Sequence, residues 1–260
     1  MSEESELSAV AFGEDPGRWP LPSATTPYAL WLRAVAAGGQ GRYGSALADL
    51  ADLCRRRRAG SLASLAHSTR ASFLRQLGGH DRARMFDGRA LALAGADPEA
   101  GADALIGLAA DALGVGRFAT SASALRRAAP LVRDSVRLQV RLAWVRAELE
   151  MAGGRGAASV THAQCAVELA ATYGSARHAV KSEVVNAAAL CSAGRTDASR
   201  QVADAALPAS ERLGMIPLRW ALASLLADIG SAAYSAAQIA AIRDESADTV
   251  RRRGGMWSVR

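Results

Sequence analysis

Four histidines, His67, His80, His162 and His178, and three cysteines, Cys54, Cys165 and Cys191, are the side chains of this sequence best suited to metal or nucleophilic chemistry. They are scattered along the chain. His162 and Cys165, three residues apart, would share one helix face and could share a metal, but a zinc site wants four ligands at recognisable spacing. Cys191, the obvious third ligand, falls roughly eight residues, or about 12 Å, too far along the following helix. The glycine-bearing stretches GVGRFAT (114–120) and GGRGAAS (153–159) follow no strand, so they lack the context of a phosphate cradle. No nucleophile-elbow, kinase or hydrolase signature is present. The expectation is a protein that is not an enzyme, with no catalytic residue, metal or cofactor.

Charge offers a better lead. The chain of 260 residues carries a net charge of +6, with 30 arginines and a single lysine, Lys181. A general arginine bias asks for no functional account, but the lone lysine does. Arg137 and Arg141 stand four apart, as do Arg177 and Lys181. On helices each pair repels mildly, so the arrangement has a local cost. With His178 and Trp144 beside them, the four cations suit a carboxylate or phosphate, arginine through its planar fork and lysine as a point charge. Trp144 and Trp220 supply apolar contact surface.

These residues are placed by a repeat. Alanines recur at 34, 71, 109, 147, 187 and 223, and twelve residues after each comes Ala46, Ala83, Ser121, Ser159, Ser199 or Ser235. A glycine-bearing break separates the members of each pair. Sixteen and nineteen residues after each first alanine the positions are apolar, from Leu50 and Leu53 to Ile239 and Ile242, except at Asp87. Alanine fills nearly a quarter of the chain while Val, Ile, Thr and aromatics are sparse, which favours helix over sheet. A period near 38 split by a glycine turn describes pairs of antiparallel helices stacked side by side. Small residues at the two fixed positions let the paired backbones approach. Trp31, Trp144 and Trp220 each lie three residues before a first alanine, Arg141 and Lys181 six before, and Arg137 and Arg177 ten before. The cations and indoles therefore occupy equivalent places on the first helices of the pairs.

The stretches GRYGSALADL and GRFATSASAL, with small residues flanking a G-x-aromatic turn, resemble the tetratricopeptide repeat family. The resemblance covers nearly the whole chain, although the units are longer than is usual for that family. It implies an all-α fold, a right-handed α-solenoid of about six stacked antiparallel hairpins, whose inner groove holds peptide segments.

Residues 1–24, with four Glu, three Pro and two Gly, are expected to be a disordered acidic segment. Residues 25–253 are expected to form one helical repeat domain, opened by Thr26 and Pro27, and residues 254–260 a short basic-aromatic tail. Pro208 should kink or shorten its helix. No apolar run is long enough to cross a membrane, and the first twenty residues lack the basic-then-apolar pattern of a secretory signal. With cysteines expected to be small buried residues in a reducing compartment, the expected location is the cytoplasm. The expected function is an adaptor or scaffold module that binds an acidic or C-terminal peptide through Arg137, Arg141, Trp144, Arg177, His178, Lys181 and Trp220. The alternative is a nucleic-acid-binding or small-molecule-sensing regulatory repeat protein.

Overall fold

The computed structural model describes residues 2–258; Met1, Val259 and Arg260, at the ends of the acidic segment and the basic tail, lie outside the described residues. Among the described residues there are thirteen α-helices and no strand. They are α1 (Glu3–Phe12), α2 (Pro27–Gly39), α3 (Tyr43–Arg56), α4 (Ser61–Gln76), α5 (His80–Leu93), α6 (Pro98–Gly114), α7 (Phe118–Ala128), α8 (Val136–Ala152), α9 (Gly156–Tyr173), α10 (Ala176–Ser192), α11 (Thr196–Arg212), α12 (Ile216–Ile229) and α13 (Ala236–Arg252). A short 3-10 turn, Ala129–Leu131, contains Pro130 and follows α7.

Consecutive helices pack side by side. The even-numbered helices also touch one another in succession, α2 to α4 and onward to α12, and so form an inner row. Between α2 and α3, and again between α6 and α7, the doubled Gly-Arg motif makes the turn. Gly41 and Gly116 adopt φ of 73° and 76°, a left-handed conformation that costs glycine little. The next residue then donates its N–H back into the preceding helix, Arg42 to Ala37 at 2.9 Å and Arg117 to Ala112 at 2.8 Å. Both bonds satisfy carbonyls that a helix end would otherwise leave open.

All six first-position alanines have no exposed surface, and neither have Ala46, Ala83, Ser121, Ser159 and Ser199. Each of these five downstream residues lies three positions after the start of its helix. Ser235 does not follow them. The last turn is longer, and Ser235 is the exposed N-cap of α13, in a capping box with Gln238. Ile239, three residues into α13 and 1% exposed, takes the buried place instead. Pro208 does not shorten α11, which has the 17 residues of α8 and α10. Buried Ala206, Leu207 and Ser210 hold the helix against its neighbours through the proline.

Within the acidic segment, residues 3–12 form α1, which packs on the first pair of helices. Ser2 caps α1 by accepting the Ser5 N–H. Leu7, Val10 and Ala11 are buried in the cluster built on Leu32, Val35 and Leu50 of α2 and α3. The acidic residues that suggested disorder are tethers: Glu3 accepts the N–H and hydroxyl of Thr25 at 2.6 and 3.0 Å, and Glu4 accepts the Thr26 hydroxyl at 2.7 Å. Farther on, the Gln40 amide donates to the carbonyls of Pro16 and Arg18. At the other end, α13 returns to the start of the chain. Val250 joins the cluster around α2 and α3, the Arg253 carbonyl accepts the Gly44 N–H at 2.9 Å, and Ser258 donates to the Leu77 carbonyl at 2.8 Å. The succession of helices closes on itself.

The cysteines are free, with Cys165 exposed and Cys54 and Cys191 half-buried, so none is the buried apolar residue expected. No helix is long and apolar enough to cross a membrane. Ala147 has no exposed surface and packs among Val160, Ala163 and Val185. Ala147→Leu is expected to overpack that contact and lower stability by about 1–3 kcal/mol. Thermal or denaturant unfolding checks this, and an unchanged midpoint would show that the close approach is not where α8 meets α9.

Candidate functional site

The inner row of helices surrounds a cavity of about 540 Å³. Its apolar wall includes Ile106, Leu113, Trp144, Val145, Leu218 and Trp220, and its polar wall includes Arg75, Arg137, Arg141, Glu148, Arg177 and Lys181. All seven residues singled out in the sequence line it, contributed by α8, α10 and α12. The repeat explains why. Equal offsets from the buried alanines place Arg137/Arg141 and Arg177/Lys181 at matching heights on neighbouring inner helices.

The same offsets on α6 hold two acids that sequence reasoning missed. Glu99 and Asp103 stand ten and six residues before Ala109. They meet the α8 pair across the helix contact. Arg137 donates to Asp103 at 3.2 and 3.3 Å and to Glu99 at 3.0 Å, and Arg141 reaches the other Asp103 oxygen at 2.5 Å. Although Asp103 is buried, Arg141 and Arg137 together hold its carboxyl below the usual range. Lys181 is 3.7 Å from Glu148 and 5.8 Å from the centre of the Trp144 ring. Glu183, the other acid near these residues in sequence, instead accepts from Asn186. The four cations thus share one surface, but three of them already face carboxylates.

Arg177 is the exception: among the described residues its guanidinium forms no ion pair. Burial, and then the charges of Arg141 and Arg137, lower its pKa to about 10, so it remains charged at neutral pH. Its guanidinium lies 6.0 Å from the centre of the Phe12 ring of α1. Phe12, Trp31, Arg137, Arg141 and Arg177 also line a side cavity of about 40 Å³ next to the larger one.

His178 does not add a charge to this group. It is 2% exposed, with Nδ1 2.9 Å from the Ser175 hydroxyl and its ring stacked on Trp144 at 5.4 Å. Burial, followed by the fields of Arg177, Arg137 and Arg141, holds its pKa well below the usual value. Trp144 is fixed by donating to the Ser182 hydroxyl at 2.9 Å, and Trp220 packs on Trp257 of the tail at 4.4 Å. Trp31 belongs to the packing between hairpins: it is 5% exposed and donates to Thr69 at 2.9 Å.

A second buried group borders the cavity. Arg75 pairs with Asp87, the residue that breaks the apolar pattern, and with Asp111 at 3.0 Å. Gly107 makes room for it, since a Cβ there would lie 2.3 Å from an Asp87 oxygen. Among the described residues no group of three or more His, Cys, Asp or Glu is placed to hold a metal. A scan against protein-family models gave no match, and a search of curated proteins gave none either.

Burial, partly opposed by Arg75 and reinforced by Asp111, pushes the Asp87 carboxyl up to about 7. A raised carboxyl pKa means that the folded protein holds a proton the unfolded chain releases near pH 4. Stability from this group is therefore present in full below about pH 4 and is withdrawn as pH rises toward 7. Melting curves across that window are expected to show Tm falling with pH more steeply in the wild type than in Asp87→Asn. Parallel slopes would remove Asp87 as the titrating group.

Proposed function

We propose that the chain is a non-enzymatic binding module of the tetratricopeptide-repeat kind, a right-handed solenoid of six hairpins (α2/α3 through α12/α13) whose inner cavity receives the carboxylate of an acidic or C-terminal peptide. The observation that carries this reading is Arg177, a charged guanidinium without an acidic partner among the described residues, on the wall of a cavity of about 540 Å³. Leaving a partly buried charge uncompensated is costly, and a bound anion relieves that cost. The apolar wall formed by Ile106, Leu113, Trp144 and Trp220 suits the side chains that accompany a peptide carboxylate. This reading sets the protein in the cytoplasm, in keeping with three free cysteines.

A small-molecule anion is the second reading. The volume, about 540 Å³, falls within the range of small-ligand pockets, about 300–1,000 Å³.

Peptide capture from a lysate followed by calorimetry on the recovered sequences tests the first reading. Arg177→Ala is expected to weaken peptide binding by roughly 1.5–3 kcal/mol, the scale of a charged hydrogen bond, without lowering Tm. Lys181→Ala is expected to have a smaller effect, because Glu148 already offsets its charge. Binding unchanged by Arg177→Ala removes the cavity as the peptide site. Thermal shifts produced by small carboxylates but by no peptide favour the second reading.

A further inference from the structure

The basic excess of this protein is confined to one part of its surface. Residues 54–96, which run from the end of α3 through α4 and α5, hold nine arginines and two aspartates; the rest of the chain has 22 basic and 23 acidic residues. Of the nine, Arg75 is the buried partner of Asp87 and Asp111, and Arg55 and Arg56 face Asp52. Arg57, Arg58, Arg70, Arg82, Arg84 and Arg89 are exposed and, among the described residues, form no ion pair.

The six belong to a continuous area. Arg82, Met85 and Arg89 lie along the outward stripe of α5, beside Arg84 and Gly88. Arg70 of α4 lies over the ring of Phe86 at 4.3 Å, and that ring stacks on His67 at 6.1 Å. The charges of Arg70 and Arg89 both act on Cys54 at the end of α3 and on His67 of α4, so the area reaches three helices, and Arg57 and Arg58 follow in sequence from the end of α3.

Gly88 is the second, independent observation. It sits in the middle of an exposed helix face, where glycine weakens the helix. Gly38, Gly107 and Gly114 are each required because a Cβ would collide with Phe73, Asp87 or His80, whereas a Cβ on Gly88 would meet nothing within 4 Å. No packing inside the protein calls for it. Its effect is a notch in the floor of an arginine-lined surface.

We propose that this outer face of α5, with Arg57, Arg58 and Arg70 at its edge, binds the phosphodiester backbone of a nucleic acid, at a site separate from the inner cavity. Arginine forks match phosphate oxygens in pairs. A sugar-phosphate strand is a ridge, and a notch between arginines lets a ridge approach the helix backbone. A lipid bilayer gains nothing from a notch, and the stripe offers one strongly exposed apolar side chain, Met85 at 73%, as an anchor. An acidic protein would bring carboxylates into the same area without needing the close approach at Gly88.

The test uses the full chain and fluorescence anisotropy with labelled duplex DNA and RNA of about 20 base pairs, alongside flotation with phosphatidylserine vesicles. About four phosphate contacts would make affinity fall roughly a hundredfold between 50 and 200 mM salt. Arg84→Glu with Arg89→Glu is expected to weaken binding at least tenfold with Tm unchanged. Gly88→Ala is expected to raise Tm yet weaken binding, a combination that a purely structural role would not produce. Arg243→Glu, which removes a partner of Asp244 outside this face, is expected to leave binding as it was. The proposal is overturned if neither nucleic acid binds at low salt, if the α5 variants bind as the wild type does, or if only the vesicles bind.

Discussion

Contact between helix backbones at the small residues of each pair is the constraint on which the rest of the structure depends. Six alanines and five of their six downstream partners have no exposed surface, because any larger side chain there would hold the helices apart. That contact fixes the height of each helix against the next. Residues at a common offset from the alanines therefore fall into rows across the inner helices, and a row can mix charges that lie about 40 positions apart in sequence. Glu99 and Asp103, Arg137 and Arg141, and Arg177 and Lys181 form two such rows.

Electrostatics then separates residues that look alike in sequence. The α8 arginines meet the α6 acids and are neutralised. Arg177, one helix farther on, lies near Arg141 and Arg137 and has no carboxylate partner among the described residues. His178, buried beside the same charges, has its pKa held well below the usual value, whereas an arginine starts so high that a lowering to about 10 still leaves it charged. A histidine or lysine placed there could neutralise itself; a guanidinium can be relieved only by an anion. Among the described residues, the cations of the cavity's polar wall are thus balanced by internal carboxylates except at Arg177.

The two ends of the chain pack against the helices that carry the cavity, and Phe12 lines the small side cavity next to it. Phe12 of α1 rests between Trp31 and His178, at 5.5 and 6.2 Å. The Gly13 carbonyl accepts the first N–H of α10, from Ala176, at 3.1 Å, tying the N-terminal segment across from α2. Trp257 stacks on Trp220, and the last turn of α13 bonds to the α2–α3 turn. These contacts add apolar burial to the first pair of helices, which otherwise has a neighbour on one side only.

Periodicity made most of the architecture legible in the sequence. The helical class, the turns at Gly41 and Gly116, the buried alanines and the convergence of Arg137, Arg141, Trp144, Arg177, His178, Lys181 and Trp220 all follow from a repeating offset, because helix geometry and close backbone contact are local rules that each unit obeys alone. The acids at Glu99 and Asp103 obeyed the same offsets and could have been found by applying them to the third unit; the clustering of arginine between residues 54 and 96 was likewise open to a windowed count of charge. Tertiary structure decided what no offset encodes. It placed an acid-rich opening segment on α2, made Ser235 a cap and gave its buried place to Ile239, set Asp87 against Arg75, and left Arg177 without an acidic partner among the described residues. Each of these depends on which surfaces meet once the helices have closed on themselves, and a contact between residues far apart in the chain has no signature in the spacing of either one.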